Sequence, residues 1–210
     1  NVRQELSQFA SELINQLRVQ MGTGEVVVTP SSIDFADKVA TEYRKDNWNW
    51  DLMEEYHHDA RGINRVAREY GLMTTSAEQE SKGLQYYENA YIWRENASQM
   101  SVAEMKRRVY DSVVEFMFNG YEWLHATSIS GLNTGRQKNY LGVDFSMEGD
   151  ITMAHFTMVS EDQIKYASKK NFNASPITGK APTAKVDPQE VAKAQTAYDA
   201  AFKANQLALA

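Results

Sequence analysis

Tyr140-Leu141-Gly142-Val143-Asp144-Phe145-Ser146-Met147, then Glu148-Gly149-Asp150, then Ile151-Thr152-Met153-Ala154-His155-Phe156-Thr157-Met158-Val159 is the stretch that decides the fold. Leu141, Val143, Phe145 and Met147 fall at every second position, the mark of a strand with one apolar face. Glu148-Gly149-Asp150 is a turn, and a second strand runs from Ile151 to Val159, so the pair reads as a hairpin.

Working outward, Thr127 to Lys138 is rich in Gly, Ser and Asn and is expected to be loop. Ser101-Val102-Ala103-Glu104 is a capping-box pattern opening a helix to about Asn119, with Val109, Val113 and Phe116 inward. Tyr86 to Trp93 is rich in Tyr, Ile and Trp and suits a strand, and Thr74 to Gly83 has no period and reads as loop. Further back, Leu6, Phe9, Ala10, Leu13, Leu17 and Met21 repeat at helical spacing before Gly22. Val26-Val27-Val28 is a short extended piece. Pro30 opens a second helix, Asn47 to Asp51 reads as a helix end or turn, and a third helix covers about 59–70, closed by Gly71. Helices, a strand, a helix and a hairpin in that order predict an α/β/α sandwich with a mostly antiparallel sheet.

Seven of the 22 basic residues but only three of the 28 acidic ones lie from Gln163 onward. This shift places the domain at 1–162. A linker rich in Lys, Ala, Pro and Thr is expected at 163–188. At 189–210, Val191, Ala194, Tyr198 and Ala201 open a helical segment, read as the start of a stalk of coiled-coil type. The net charge of −6 argues against nucleic acid as a partner, because phosphates call for a basic face. The absence of cysteine excludes a disulfide framework and a thiolate metal site. No run of residues suits a membrane span and no signal peptide is present. The chain starts at Asn1 and stops inside a helical pattern, so it reads as an excised piece.

Three short pieces carry chemistry: Tyr56-His57-His58-Asp59, Tyr87-Glu88-Asn89-Ala90 and Trp123-Leu124-His125-Ala126. His58 (or His57), Glu88 and His125 are the candidate cleft residues. Two imidazoles and a carboxylate that converge can bind a divalent cation, zinc foremost, or move a proton. Glu88 sits in an aromatic strand, so its carboxylate must be hydrogen-bonded or stand at the sheet's end. His155 alternates with Met153 and Thr157 and is read as structural. Trp48, Trp50, Trp93 and Trp123 are read as core or cleft lining.

These pieces in this order, followed by Leu141-Gly142-Val143 at the head of the hairpin, resemble the CAP superfamily of cysteine-rich secretory, antigen 5 and pathogenesis-related proteins. They are most similar to the CAP-like domain of Gram-positive surface-exclusion proteins and related wall-anchored adhesins. Glu88-Asn89 resembles the family's Glu-Asn, with Tyr87 in place of Gly. His125 resembles the later Gly-His, with Leu124 in place of Gly, and His58 or His57 resembles the earlier His. No carboxylate falls at the offset of the family's second Glu, although Glu115 and Glu122 are near.

The resemblance implies an extracellular, cell-wall-anchored domain acting in adhesion or in surface exclusion during conjugation. Its partner would be a ligand on a host or neighbouring cell, it would require no cofactor, and the stalk would be the route to any oligomer. The alternative is a metal-dependent hydrolase or protease using His58, Glu88 and His125. Gly-x-Ser-x-Gly, His-Glu-x-x-His and phosphate-loop patterns are absent. Zinc catalysis also needs three ligands, an open water position and a base, so the binding reading is favoured.

Overall fold

The hairpin forms as β3 (Asn139–Glu148) and β4 (Ile151–Ser160), antiparallel from Asn139↔Ser160 to Glu148↔Ile151. This computed structural model describes residues 1–179 and, beyond them, Gln189, Ala192, Lys193 and Thr196. β2 (Glu88–Trp93) pairs antiparallel with β4, and β1 (Val26–Val27) pairs parallel with β3, in the order β1-β3-β4-β2. The sheet is therefore mixed, which corrects the expectation of a mostly antiparallel one. A two-residue strand carries no local mark of its direction. β1 takes its direction from the helices on either side of it, which lie on opposite faces of the sheet.

α1 (Val2–Met21) buries Leu6, Ala10 and Ile14 against Leu141, Val143, Phe145, Phe156 and Met158, together with α6 (Val102–Phe118). On the other face α2 (Pro30–Lys45) and α4 (Ala60–Glu69) bury Phe35, Val39, Tyr43, Ile63 and Val66 against Ile151, Met153 and Val159. Strand alternation makes this division possible, since successive side chains point to opposite faces. Gly142 lets α2 seat on β3: a Cβ there would lie 1.9 Å from the Ser32 carbonyl oxygen. Ser32 Oγ then donates to the Leu141 carbonyl at 2.8 Å.

Three short helices form where the sequence suggested turns or loops. They are α3 (Trp50–Tyr56), α5 (Ala77–Glu80) and α7 (Leu124–Ile129). Each is too short to show a period, and side-chain caps carry the first two: Asn49 accepts from Leu52 N–H, and Ser76 and Gln79 cap one another. α8 (Glu161–Lys165) crosses the expected domain boundary at 162/163.

The expected linker does not leave the domain at 163. Ser168 N–H donates to the Gly71 carbonyl (2.8 Å), Asn173 N–H to Ser31 Oγ (2.7 Å) and Ile177 N–H to the Val28 carbonyl (3.0 Å). Phe172 is buried between Tyr70 and Tyr140, with ring centroids at 5.4 and 5.8 Å. One aromatic anchor and a few backbone bonds to the domain's edge fix this strap, and average composition does not reveal them. The remainder of the linker, 180–188, lies outside the described residues. So does the helix expected at 189–210, apart from the four residues named above, which are helical. Among the described residues no helix is long and apolar enough to cross a membrane.

Candidate functional site

Glu88 begins β2, and its side chain points to the face that α2 and α4 cover. Both carboxylate oxygens are taken by the chain's own groups. Oε1 lies 2.6 Å from His155 Nδ1, while Oε2 lies 2.5 Å from Tyr43 Oη and 2.8 Å from His58 Nδ1. The backbone of Glu88 is held as well, by both ends of the Gln85 amide. Burial alone would raise the Glu88 carboxyl, but the imidazole of His155, then that of His58, outweighs it and holds the group well below the usual carboxylate range. Burial, then the neighbouring carboxylate, pushes the Tyr43 phenol well above its usual value, so Tyr43 is the donor to Glu88.

Each histidine directs Nδ1 at the carboxylate. His155 places its Nε2 2.6 Å from Ser146 Oγ, and both residues are buried. His58 Nε2 takes no part in the Glu88 bond, and its side chain is about one-fifth exposed. The backbone presents His58 in a strained way. His57 has φ 63 and ψ −45, and His58 N–H donates to the Tyr56 carbonyl at 2.7 Å. That is a γ-turn with positive φ, rare for a residue with a side chain. The Glu88 partner is His58 and not His57, as the Nδ1–Oε2 bond shows.

Asp59 follows directly. Its N–H donates to Tyr43 Oη (2.9 Å), and its Oδ1 caps α4 by accepting from Gly62 N–H (2.8 Å). Its other oxygen is buried with no hydrogen-bond partner. Burial, with the Asp46 carboxylate adding to it, pushes the Asp59 carboxyl up to about 7.

His125 does not join this group. It opens α7, stacks on Phe116 (4.9 Å between ring centroids, 18° between planes) and bonds through Nδ1 to Glu122 Oε1 at 2.8 Å. Phe116 packs on Phe156 and Tyr91, whose side chains face α1 and α6. The Glu88 carboxylate is on the opposite face of the sheet, and the alternation at Glu88 and Asn89 produces the split: Asn89 turns towards α7 and bonds Ser128 (2.9 Å). The structure thus brings His58 and Glu88 together and sets His125 apart from them. Two imidazoles, each oriented by its own carboxylate, replace the expected set of three. Glu122, which no family offset pointed to, is the second carboxylate.

The donors do not fit a zinc ion held by His58, Glu88 and His125. Glu88 has no oxygen to spare, and His125 faces elsewhere. Among the described residues no group of three or more His, Asp or Glu side chains is placed to hold a metal ion. What the arrangement offers is a carboxylate-oriented imidazole at His58 and another at His125, each able to accept or pass a proton at Nε2.

Sequence reading missed Tyr43, Ser146 and the role of His155. The signal for His155 was parity. It follows Met153 on β4 and so must share the face onto which α2 packs Tyr43, where a buried imidazole needs polar partners on both nitrogens.

A mixed four-stranded sheet between two helical layers is a CAP-like fold. The solved CAP domain of Enterococcal PrgA has this fold. It matches at 20% identity with a TM-score of 0.60 and covers 92% of this chain and 72% of that one. No protein-family model matches the chain, and neither does any curated protein.

Proposed function

We propose that the chain is an extracellular interaction domain of a bacterial surface protein, acting in surface exclusion during conjugation or in adhesion, and held away from a cell wall by its C-terminal segment. The fold shared with the PrgA domain supports the class. The observation that carries the binding reading is the sealing of Glu88, whose carboxylate is fully buried under His58, Tyr43 and His155. A buried, fully bonded carboxylate ties loops to a sheet and is unsuited to hold an exchangeable metal or attack a substrate. The test displays the chain on Gram-positive recipient cells and measures plasmid transfer and cell-to-cell attachment against cells without it. A drop in transfer or a gain in attachment of about tenfold is expected, and no change in either would overturn the reading.

A second reading, hydrolysis, draws on the two carboxylate-oriented imidazoles His58 and His125. Metal-dependent turnover of peptides or esters by the purified chain, lost in His125→Ala and Glu88→Gln proteins that keep their fold, would establish it in place of the first.

A further inference from the structure

At the corner where α6 ends and α7 begins, large apolar side chains stand in water. Phe118 is 74% exposed, Tyr121 85%, Trp123 70% and Leu124 81%, with Leu132 at 55% and Met21 at 48% beside them. Most soluble surfaces scatter such residues singly. Here Met21, Phe118, Trp123 and Leu132 are contiguous, for with Met117 they line one groove of about 420 Å³. No charged side chain lines it. The nearest carboxylate in sequence, Glu122, is turned back onto His125 Nδ1 and the Leu124 N–H.

We propose that this face is the contact through which two copies of the chain pair about a two-fold axis. Its shape supports that occupant. The face carries a groove and, next to it in the chain, projecting apolar side chains at Tyr121 and Leu124, so one copy offers the knob that the other's groove receives and the reverse. Self-complementarity of that kind is what a two-fold contact requires. The area agrees. Three aromatic rings at these exposures present roughly 450 Å², and Leu124, Leu132 and Met21 bring the face towards the ~800 Å² per partner of a stable interface. The absence of charge decides the location. Residues 1–162 carry 15 basic and 25 acidic side chains, so two copies repel by net charge. Here they can approach without desolvating like charges.

Sedimentation of the whole 210-residue chain from about 1 µM to about 1 mM tests this. A monomer–dimer equilibrium is expected, weakened about tenfold or more by Trp123→Glu, as truncating an aromatic anchor does at such contacts. Tyr121→Glu serves if the first variant does not fold, because that ring lies almost wholly in solvent. Substituting only this face separates its contribution from any association through the C-terminal segment. A chain that stays monomeric, a dimer indifferent to Trp123→Glu and Tyr121→Glu, or a monomer that instead sediments with phosphatidylcholine vesicles would each overturn the proposal.

Discussion

Glu88 holds three donors from three elements: Tyr43 on α2, His58 in the turn after α3 and His155 on β4. Glu88→Gln keeps the shape but loses the charge that strengthens these bonds. It should cost about 2–4 kcal/mol at pH 7, read as a lower urea midpoint. The pH dependence has a definite sign. The folded carboxyl lies below its unfolded value of about 4.3, so its stabilisation is complete above that value and fades as pH falls below it. The gap between native and variant should therefore narrow when the pair is compared at about pH 3.5. Asp59 has the opposite sign. Its folded carboxyl is raised to about 7 from about 3.9, so it costs stability increasingly as pH rises through that window and most above it. Asp59→Asn keeps the cap on Gly62 and can place a donor where the orphaned oxygen sits. It should stabilise by about 1–2 kcal/mol at pH 8, with the gain shrinking towards pH 4. The sequence marked Glu88 as a carboxylate in need of partners and named His58 as a neighbour. Nothing in it marked the unpartnered oxygen of Asp59, because that depends on how closely Gly62 and Asp46 approach.

At the scale of the element, α7 depends on a residue far from it in the chain. Arg18 is buried near the end of α1 and donates to the carbonyls of Ser128 (3.1 Å) and Ile129 (2.9 Å) in α7, and to that of Gly24 (2.8 Å). A guanidinium at a helix C-terminus satisfies carbonyls that have no partner within the helix and complements the helix dipole. Burial lowers Arg18 to about 10, which leaves it charged at neutral pH. Arg18→Met fills similar space and strands the Ile129 and Gly24 carbonyls, while Ser128 keeps the Gly131 N–H. Its expected cost is about 2–4 kcal/mol, with amide exchange rising first in 124–132. This long-range cap explains why a segment whose composition reads as loop contains a helix. The edges of the sheet show the same logic. The Asn15 side chain accepts from Val26 N–H and donates to its carbonyl, and Ile177 N–H bonds Val28, so the outer side of β1 is covered.

For the whole molecule, the strap at 166–179 extends the domain past the point where its charge changes. Phe172 joins the core of the α2 face through Tyr70 and Tyr140. Phe172→Ala should cost about 2–4 kcal/mol, and a chain ending at 162 should melt several degrees below one ending at 179. Limited proteolysis provides a further check: cleavage between 168 and 179 should be slow in the native protein and fast in Phe172→Ala. Early cutting there in both proteins would show that the strap is not part of the folded unit.

The sequence by itself determined the hairpin, the long helices and the strand that bears Glu88. Each rests on a local repeat of two or of about 3.6 residues, or on a cap a few positions away, and such signals survive without the rest of the chain. Only the tertiary structure decided that β1 runs parallel to β3, that His125 lies across the sheet from Glu88, and that His155 and Tyr43 complete the Glu88 cluster. These outcomes depend on which face a strand turns to each helix and on how residues tens of positions apart meet. A one-residue change in parity would exchange the two faces. Local pattern limits which residues can share a face, but the packing of helices on both sides of the sheet selects which of them touch.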